Sequence, residues 1–199
     1  MCRFYTSFGK RSFDIFASFI GLICLLPLFF IIAIAVKVTS KGPIFYVQER
    51  LGKDFRPFKM LKFRSMVVNN AQNHSLVTAK RDARITPLGS VLRAYKLDEL
   101  PQLINVLKGD MSLVGPRPEV ERYINHYKSD YEFILKIKPG ITDNAAIAFK
   151  NEEDILQQYD NPQDAYIQKV MPQKIQLYKN YMNNISFLSD IKLILKTIF

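Results

Sequence analysis

Two adjacent carboxylates, Asp98 and Glu99, are the residues in this sequence with the clearest capacity for chemistry. Pro101 follows closely, and because proline is tolerated in a helix within the first turn, Asp98 is expected at or near a helix start. The exposed amides and the dipole at such an end stabilise an ionised carboxylate, and the same place attracts phosphate. An ionised aspartate there could act as a nucleophile. The alternative is that Asp98 is an ordinary helix N-cap and Glu99 a first-turn acid.

Two arginines close to this pair in the sequence favour the chemical interpretation. Arg93 lies one short turn before Asp98, and Arg117 lies in the loop Gly115-Pro116-Arg117-Pro118. The prolines on both sides of Arg117 restrict the loop, and a guanidinium suits paired hydrogen bonds to phosphate oxygens. Because a plain turn needs no such arginine, the sequence predicts a site for a phosphate-bearing substrate.

A long apolar segment lies near the N-terminus, where residues 15–36 are 22 consecutive uncharged residues. As one straight helix they would reach about 33 Å, which is enough to cross a bilayer. A signal peptide is not expected, because the run is too long and no small-residue cleavage site follows it. The direct interpretation is a single transmembrane helix.

Two observations favour a different path through the membrane. Pro27 lies near the middle of the segment and is expected to kink or break the helix into halves that are too short to cross. Lys and Arg residues flank both ends, and the positive-inside rule places both flanks on the cytoplasmic side. We therefore predict a re-entrant helix that enters the bilayer, bends at Pro27 and returns, with the spanning helix kept as the alternative.

The net charge of +10 belongs entirely to the first half of the chain. Residues 1–100 carry 16 Lys and Arg against 6 Asp and Glu, whereas residues 101–199 carry 12 of each. A basic region beside an apolar segment suits an anionic phospholipid surface or a phosphate-rich substrate, although a solubilising basic face would give the same count. The sequence has no recognised nucleic-acid-binding motif, so nucleic acid is not an expected partner.

Beyond the apolar segment, the residue patterns predict a mixed set of elements. Short runs at 44–47 and 55–63 predict a β-hairpin, and a polar stretch at 68–84 predicts a loop. Helical spacing of apolar residues predicts helices at 88–96, 99–108, 119–136, 162–182 and 187–198. The last helix suits either the core or, as an amphipathic helix, the membrane interface.

These elements together predict an α+β fold that is mainly helical, with a small β-hairpin and interfacial amphipathic helices. Residues 1–40 are expected to form the membrane helix-break-helix, and residues 41–199 a cytoplasmic catalytic domain. The two cysteines, one of them inside the apolar segment, make neither a disulfide framework nor a zinc pattern.

Residues 98–118 resemble the signature of the bacterial sugar transferase family, the monotopic polyprenol-phosphate phosphoglycosyl transferases. The small bacillosamine-phosphate transferases of that family are similar to this chain in size. Other matching pieces follow the family's order, and they lie at 10–14, 41–45, 48–52, 58–66 and 138–142, with a weaker match at 184–187 and 190–192. The ordered set is specific, whereas any one piece alone would not be.

The resemblance implies a role for five residues. Asp98 would be the nucleophile and Glu99 its partner in a dyad, with Mg²⁺ bound at this pair. The residues expected around the substrate phosphates are Lys62, Arg93 and Arg117.

The resemblance also implies the reaction and its place. A UDP-sugar would donate a sugar 1-phosphate to a polyprenyl phosphate such as undecaprenyl phosphate, through a covalent aspartyl phosphosugar and with release of UMP. This would be the first membrane step of bacterial glycoconjugate assembly. The protein would lie in the bacterial inner membrane, with its catalytic domain on the cytoplasmic face.

Two departures from the family pattern limit what the resemblance carries over. The family often has Ser before the helix-breaking proline, whereas Leu26 precedes Pro27 here, which leaves the sharpness of the bend open. Asp143-Asn144 stands where many members have Gly-Trp, so the identity of the sugar is not transferred. Asp190, within the weak C-terminal match, is an extra candidate for a structural or catalytic role.

Two other function classes remain open on the sequence. A non-enzymatic protein that binds anionic lipid or polyprenyl phosphate would release no nucleotide. A direct-displacement glycosyltransferase that moves only the sugar would release UDP. The pathway, the polyprenyl length, the remaining Mg²⁺ ligands and the oligomeric state, a homo-oligomer included, are not set by the sequence.

Overall fold

The computed structural model describes residues 5–67 and 82–198. Most of the predicted polar loop, residues 68–81, lies outside the described residues. The described elements confirm a mainly helical chain with one small antiparallel hairpin.

The predicted β-hairpin consists of β1 at Phe45–Leu51 and β2 at Pro57–Phe63. The strands pair antiparallel along their whole length, with Phe45 opposite Phe63. A 3-10 turn at Lys53–Phe55 connects them. Met60 and Phe63 point to opposite faces of β2 and are both buried, so the end of this strand lies inside the domain.

The region around the predicted dyad folds as two short helices joined by a tight turn. These elements are α2 at Pro87–Ala94, a 3-10 turn at Leu97–Glu99 and α3 at Gln102–Lys108. The hydroxyl of Thr86 accepts a hydrogen bond from the amide of Gly89 at 2.9 Å and so caps the start of α2. The helices predicted at 88–96 and 99–108 are therefore confirmed.

A short parallel pair of strands, which the sequence patterns did not predict, lies beside α3. It consists of β3 at Ser112–Val114 and β4 at Gly140–Thr142. Three residues are too few for alternation to be recognised in a sequence. A Cβ atom at Gly140 would lie 2.1 Å from the backbone nitrogen of Gly115, so this close approach requires glycine.

The remaining elements are helices. They are α4 at Glu121–Ile124, α5 at Lys128–Ile134, α6 at Asn144–Ala148, α7 at Glu152–Leu156, α8 at Pro162–Ala165, α9 at Met171–Asn183 and α10 at Phe187–Ile198. The predicted helix at 119–136 is interrupted by a 3-10 turn, and the one at 162–182 by a π-helical turn at Tyr166–Val170. The five-residue helices α6 and α7 were not predicted, because so short a segment shows no helical period.

The largest hydrophobic cluster lies among the C-terminal helices and includes Tyr131, Ile134, Met171 and Tyr178. A second cluster joins the N-terminal apolar helix to the domain, and its buried members are Ile32, Val36, Phe63 and Leu92. The apolar helix is thus part of the folded unit through direct packing.

The N-terminal apolar segment forms α1, which extends over Lys10–Thr39 after a π-helical turn at Tyr5–Gly9. By length and composition it could cross a membrane. The helix continues through Pro27, so the predicted break at that residue is not confirmed. Proline removes a single backbone donor, and the turns on either side retain their own hydrogen bonds.

One face of α1 is buried against the domain near both ends of the helix, while the opposite face is bare. The buried residues are Asp14, Ser18, Ile32 and Val36. The exposed large apolar residues are Phe16, Phe19, Ile20, Ile23, Leu26, Phe30, Ile31, Ile34 and Val38. Since soluble proteins rarely leave an apolar patch of this extent in water, the bare face suits a membrane.

Hydrogen bonds fix both ends of α1 to the same domain. The guanidinium of Arg11 donates to the carbonyls of Val106 at 2.6 Å and Leu107 at 2.9 Å, which belong to the last turn of α3. Near the other end, Arg64 donates to the carbonyl of Ser40 at 2.7 Å. The 30 residues between these anchors amount to about 45 Å of helix.

The N-terminus is also tied to the C-terminal helix through Asp190, which is fully buried. Its carboxylate accepts hydrogen bonds from the Tyr5 hydroxyl at 2.7 Å, the Lys10 ammonium at 2.5 Å and the Tyr181 hydroxyl at 2.7 Å. Phe187 adds an edge-on ring contact with Tyr5. These contacts give Asp190 a structural place in the fold.

Replacing Asp190 with Asn is therefore expected to lower the free energy of unfolding by about 3 kcal/mol, because Lys10 would be left without its counter-charge in a buried setting. Denaturant unfolding of the detergent-solubilised chain measures this change. Asp130→Asn is the matched control: its pair with Lys179 is on the surface, and its loss should cost less than about 1 kcal/mol. Equal losses in the two variants would contradict a structural role for Asp190.

Candidate active site

Asp98 and Glu99 lie in the 3-10 turn that precedes α3. Lys96 enters this turn in the left-handed conformation with φ 56°, and Pro101 has the helical φ of −60° just before α3 begins. Asp98 is therefore near the helix start, as predicted, but four residues before the first residue of the α-helix. The turn leaves both carboxylates more than nine-tenths buried.

Glu99 is held by two cations from separate parts of the chain. Lys62, from β2, donates to Glu99 Oε1 at 2.7 Å. Arg117, from the loop after β3, donates to Oε1 at 2.5 Å and to Oε2 at 3.3 Å. Burial alone would raise the pKa of Glu99, but the charges of Arg117 and Lys62 outweigh it and hold this pKa well below its usual range. Glu99 is thus a shared hydrogen-bond acceptor and counter-charge for both cations.

Asp98 has the opposite environment, although it is the next residue in the chain. Its Oδ1 atom is buried and accepts no hydrogen bond from any described residue. Burial raises the pKa of Asp98, and neighbouring Glu99 adds to this effect, while Lys62 and Arg93 act against it. An oxygen without a hydrogen-bond partner keeps its lone pairs available for attack on an electrophile. Two neighbouring acids with opposite pKa shifts indicate two different roles.

The three residues predicted to bind phosphate do not all have the same carboxylate partner in the structure. Lys62 and Arg117 meet on Glu99, as described above. Arg93 is close enough to lower the pKa of Asp98, but its guanidinium is paired with Glu153 of α7. The structure therefore brings Lys62 and Arg117 into contact with Glu99, leaves Arg93 within electrostatic range of Asp98, and shows a partner for Arg93 that the sequence did not predict.

Comparison with known proteins gives the family. The family model described as "Bacterial sugar transferase" matches residues 5–199. The chain belongs to the bacterial sugar transferase family. This result confirms the resemblance that was based on the motifs, and its match extends to the C-terminal segment, where the motif resemblance is weak.

Several members of the bacterial sugar transferase family are similar to this chain over 96% of its length. A UDP-glucose:undecaprenyl-phosphate glucose-1-phosphate transferase from Klebsiella pneumoniae is 40% identical, with 39% of its own length covered. A UDP-N-acetylgalactosamine-undecaprenyl-phosphate N-acetylgalactosaminephosphotransferase from Aeromonas hydrophila is 35% identical, with 43% covered. The exopolysaccharide production protein ExoY from Sinorhizobium fredii is 37% identical, with 84% covered. The chain thus spans about two-fifths of the first and second of these relatives.

The family resemblance implies Mg²⁺, and the residues of the site can be tested for it. Asp98 Oδ1 is buried without a hydrogen bond in the described structure and is available as a ligand, whereas both oxygens of Glu99 accept from cations. Within residues 5–67 and 82–198, no three His, Cys, Asp or Glu side chains come together as a metal cluster. Because Mg²⁺ commonly binds one or two carboxylates together with water and substrate phosphates, the site fits an ion held through Asp98 and the donor phosphates.

A polar network around Glu119, close in the sequence to Arg117, was not predicted from the sequence. The Tyr166 hydroxyl donates to Glu119 Oε1 at 2.5 Å, and Arg50 donates to Glu119 Oε2 at 3.4 Å. Asp143 caps α6 by accepting from the Ala146 amide at 2.8 Å, and burial raises its pKa to about 6. The two contacts of Glu119 join residues 47 or more apart in the sequence, so no local pattern marks them, whereas Asp143 stood out as a departure from the family motif.

Asp190 lies apart from this arrangement. Its hydrogen-bond partners are Tyr5, Lys10 and Tyr181, and none of these contacts the dyad or its cations through a described hydrogen bond. Of the two roles open to it from the sequence, its contacts favour the structural one.

Proposed function

We propose that this chain transfers a sugar 1-phosphate from a UDP-sugar to a polyprenyl phosphate such as undecaprenyl phosphate, through a covalent intermediate on Asp98. The observation that carries the proposal is the buried Oδ1 atom of Asp98, which accepts no hydrogen bond from the described residues, beside a Glu99 occupied by two cations. The names of these two relatives, which pair UDP-sugars with undecaprenyl phosphate, support the choice of donor and acceptor.

In the first step, a carboxylate oxygen of Asp98 attacks the phosphorus that carries the sugar. The bond from that phosphorus to the bridging oxygen breaks, and UMP leaves with the electron pair. Attack by one anion on another requires the charge of the phosphates to be neutralised, which is the role of Lys62, Arg93 and Arg117. The product is an acyl phosphate between Asp98 and the sugar phosphate.

In the second step, a phosphate oxygen of the polyprenyl phosphate attacks the same phosphorus. The bond to Asp98 breaks, which restores the carboxylate and yields polyprenyl diphosphate sugar. Two successive displacements let a water-soluble donor and a lipid acceptor use one pocket in turn. This is the first membrane step of bacterial glycoconjugate assembly in the proposed scheme.

Glu99 acts as a positioning residue in this scheme. By accepting from Lys62 and Arg117 at once, it holds both cations beside the nucleophile and cancels part of their charge. Mg²⁺ would be held by Asp98 and the donor phosphates, with Glu99 as a further candidate ligand. When bound, the ion would supply positive charge to the phosphate oxygens.

For α1 we propose a re-entrant path, bent at Pro27, in the bacterial inner membrane, with the domain on the cytoplasmic face and phospholipid against the bare face of the helix. The anchors at Arg11 and Arg64 support this path, since they hold both ends of α1 to one domain. If α1 crossed the bilayer, its two ends would lie on opposite sides of about 30 Å of hydrocarbon. One anchor would then have to bring the charged domain that it contacts into this hydrocarbon, which is costly. Exposed Leu188 and Leu195 on α10 support a further interfacial contact.

Single cysteines at Ser12 and Thr39, in a background with Cys2→Ser and Cys24→Ala, test this path. Both sites are exposed, one near each end of α1. We expect a membrane-impermeant maleimide to label both in inverted membrane vesicles and neither in intact spheroplasts, because both ends lie on the cytoplasmic side. Labelling of the two sites from opposite sides would establish a spanning helix instead.

The nucleotide that leaves tests the reaction. We expect purified chain in detergent, given a panel of UDP-sugars with Mg²⁺ and undecaprenyl phosphate, to release UMP. A direct-displacement glycosyltransferase would release UDP, and a lipid-binding protein would release no nucleotide.

Asp98→Asn should lower UMP release by about 10³-fold or more, because the nucleophile is removed. Asp160→Asn, at an exposed aspartate, should retain wild-type release, and full activity in Asp98→Asn would refute the mechanism.

A further inference from the structure

A run of three acids, Glu152, Glu153 and Asp154, begins α7 and has no part in the chemistry described so far. Glu153 Oε1 accepts a hydrogen bond from Arg93 Nη2. Glu152 forms an ion pair with Lys174, a buried residue of α9. The start of α7 is therefore anchored by Glu152, and the next residue holds an arginine of the candidate active site.

In the structure, every cation assigned to the donor phosphates is paired with a carboxylate. Lys62 and Arg117 are paired with Glu99, and Arg93 is paired with Glu153. A pyrophosphate makes its strongest hydrogen bonds with the same guanidinium donors. The N–H of Arg93 Nη2 that donates to Glu153 becomes available to a donor phosphate only when Glu153 gives up that hydrogen bond.

Glu99 and Glu153 differ in how easily a phosphate can displace them from the cations they pair with. The side chain of Glu99 is only 10% exposed, and its departure would deprive two cations, Lys62 and Arg117, of their shared counter-charge at once. The side chain of Glu153 is 40% exposed and the side chain of Arg93 is 23% exposed. A half-exposed ion pair is weak, because water already screens it and can solvate the released carboxylate. Glu153 is thus the acid that an incoming phosphate can replace.

We propose that Glu153 is a counter-ion for Arg93 that exchanges with a phosphate of the donor nucleotide when the donor binds. The inference rests on the proposed function, since it takes a nucleotide diphosphate as the ligand. Arg93 remains paired in both states, so its partly buried charge is never left alone. Because Glu153 competes with the donor and does not contact the reacting atoms, it sets donor affinity and leaves the chemical steps unchanged.

The test is equilibrium titration of the full chain in detergent with UDP, which carries both phosphates and cannot transfer a sugar. Glu153→Gln removes the competing charge and is expected to tighten UDP binding about three- to tenfold at low salt, with the difference shrinking as salt is added. With a UDP-sugar that the wild type accepts, KM should fall by a similar factor while kcat stays within about twofold. Glu132→Gln, at an exposed glutamate of α5, is the matched control and should bind UDP as the wild type does.

Several outcomes would overturn this inference. Unchanged or weaker UDP binding in Glu153→Gln, or a loss of kcat at unchanged KM, would mean that Glu153 merely holds Arg93 in position. If Glu153→Gln does not fold, Glu153→Asp retains the charge but is one methylene shorter, so it should still tighten UDP binding by a smaller factor; unchanged affinity would again contradict the proposal.

The same experiments separate this inference from the proposed function. A wild type that releases UMP, combined with unchanged affinity in Glu153→Gln, refutes only the counter-ion exchange. A wild type that releases UDP or no nucleotide refutes the proposed transfer itself.

Discussion

The shared carboxylate of Glu99 is the contact on which the rest of the site depends. It accepts from Lys62 of β2 and from Arg117 of the loop after β3, and so draws two separate segments onto one turn. Because those two cations are satisfied by Glu99, Asp98 beside it keeps an oxygen without a partner. The opposite pKa shifts of the two acids follow from this division: the cations lower the pKa of Glu99, whereas burial raises that of Asp98.

The N-terminal helix is bound into the fold by polar anchors at its ends and apolar packing between them. Arg11 holds it to α3, Arg64 holds it near Ser40, and Lys10 joins it to Asp190 of α10. The same helix covers the domain with one face and leaves the other apolar. In the proposed scheme this places the dyad in a domain fixed against the bilayer surface, where a soluble nucleotide sugar and a lipid phosphate can both reach it.

Local signals in the sequence were enough for the hairpin, for most helices and for the dyad near a helix start. Pro101 and the prolines around Arg117 act within a few residues, so their effect can be predicted without the fold. Arg93 and Glu153 are paired although they are 60 residues apart in the sequence. Both side chains are polar, and hydrophobic periodicity gives no information about such a pair. The strands β3 and β4 and the helices α6 and α7 were missed for a related reason, since elements of three to five residues are set by packing and not by pattern.

The most direct test of the central claim is to identify the atom that becomes bonded to phosphorus. The chain would be incubated with an accepted UDP-sugar and Mg²⁺ in the absence of lipid acceptor, digested at acidic pH and mapped by mass spectrometry. The account predicts a sugar-phosphate adduct on the peptide that contains Asp98, and its disappearance once undecaprenyl phosphate is added. An adduct on another residue, or UMP release with Asp98 unmodified throughout, would contradict it.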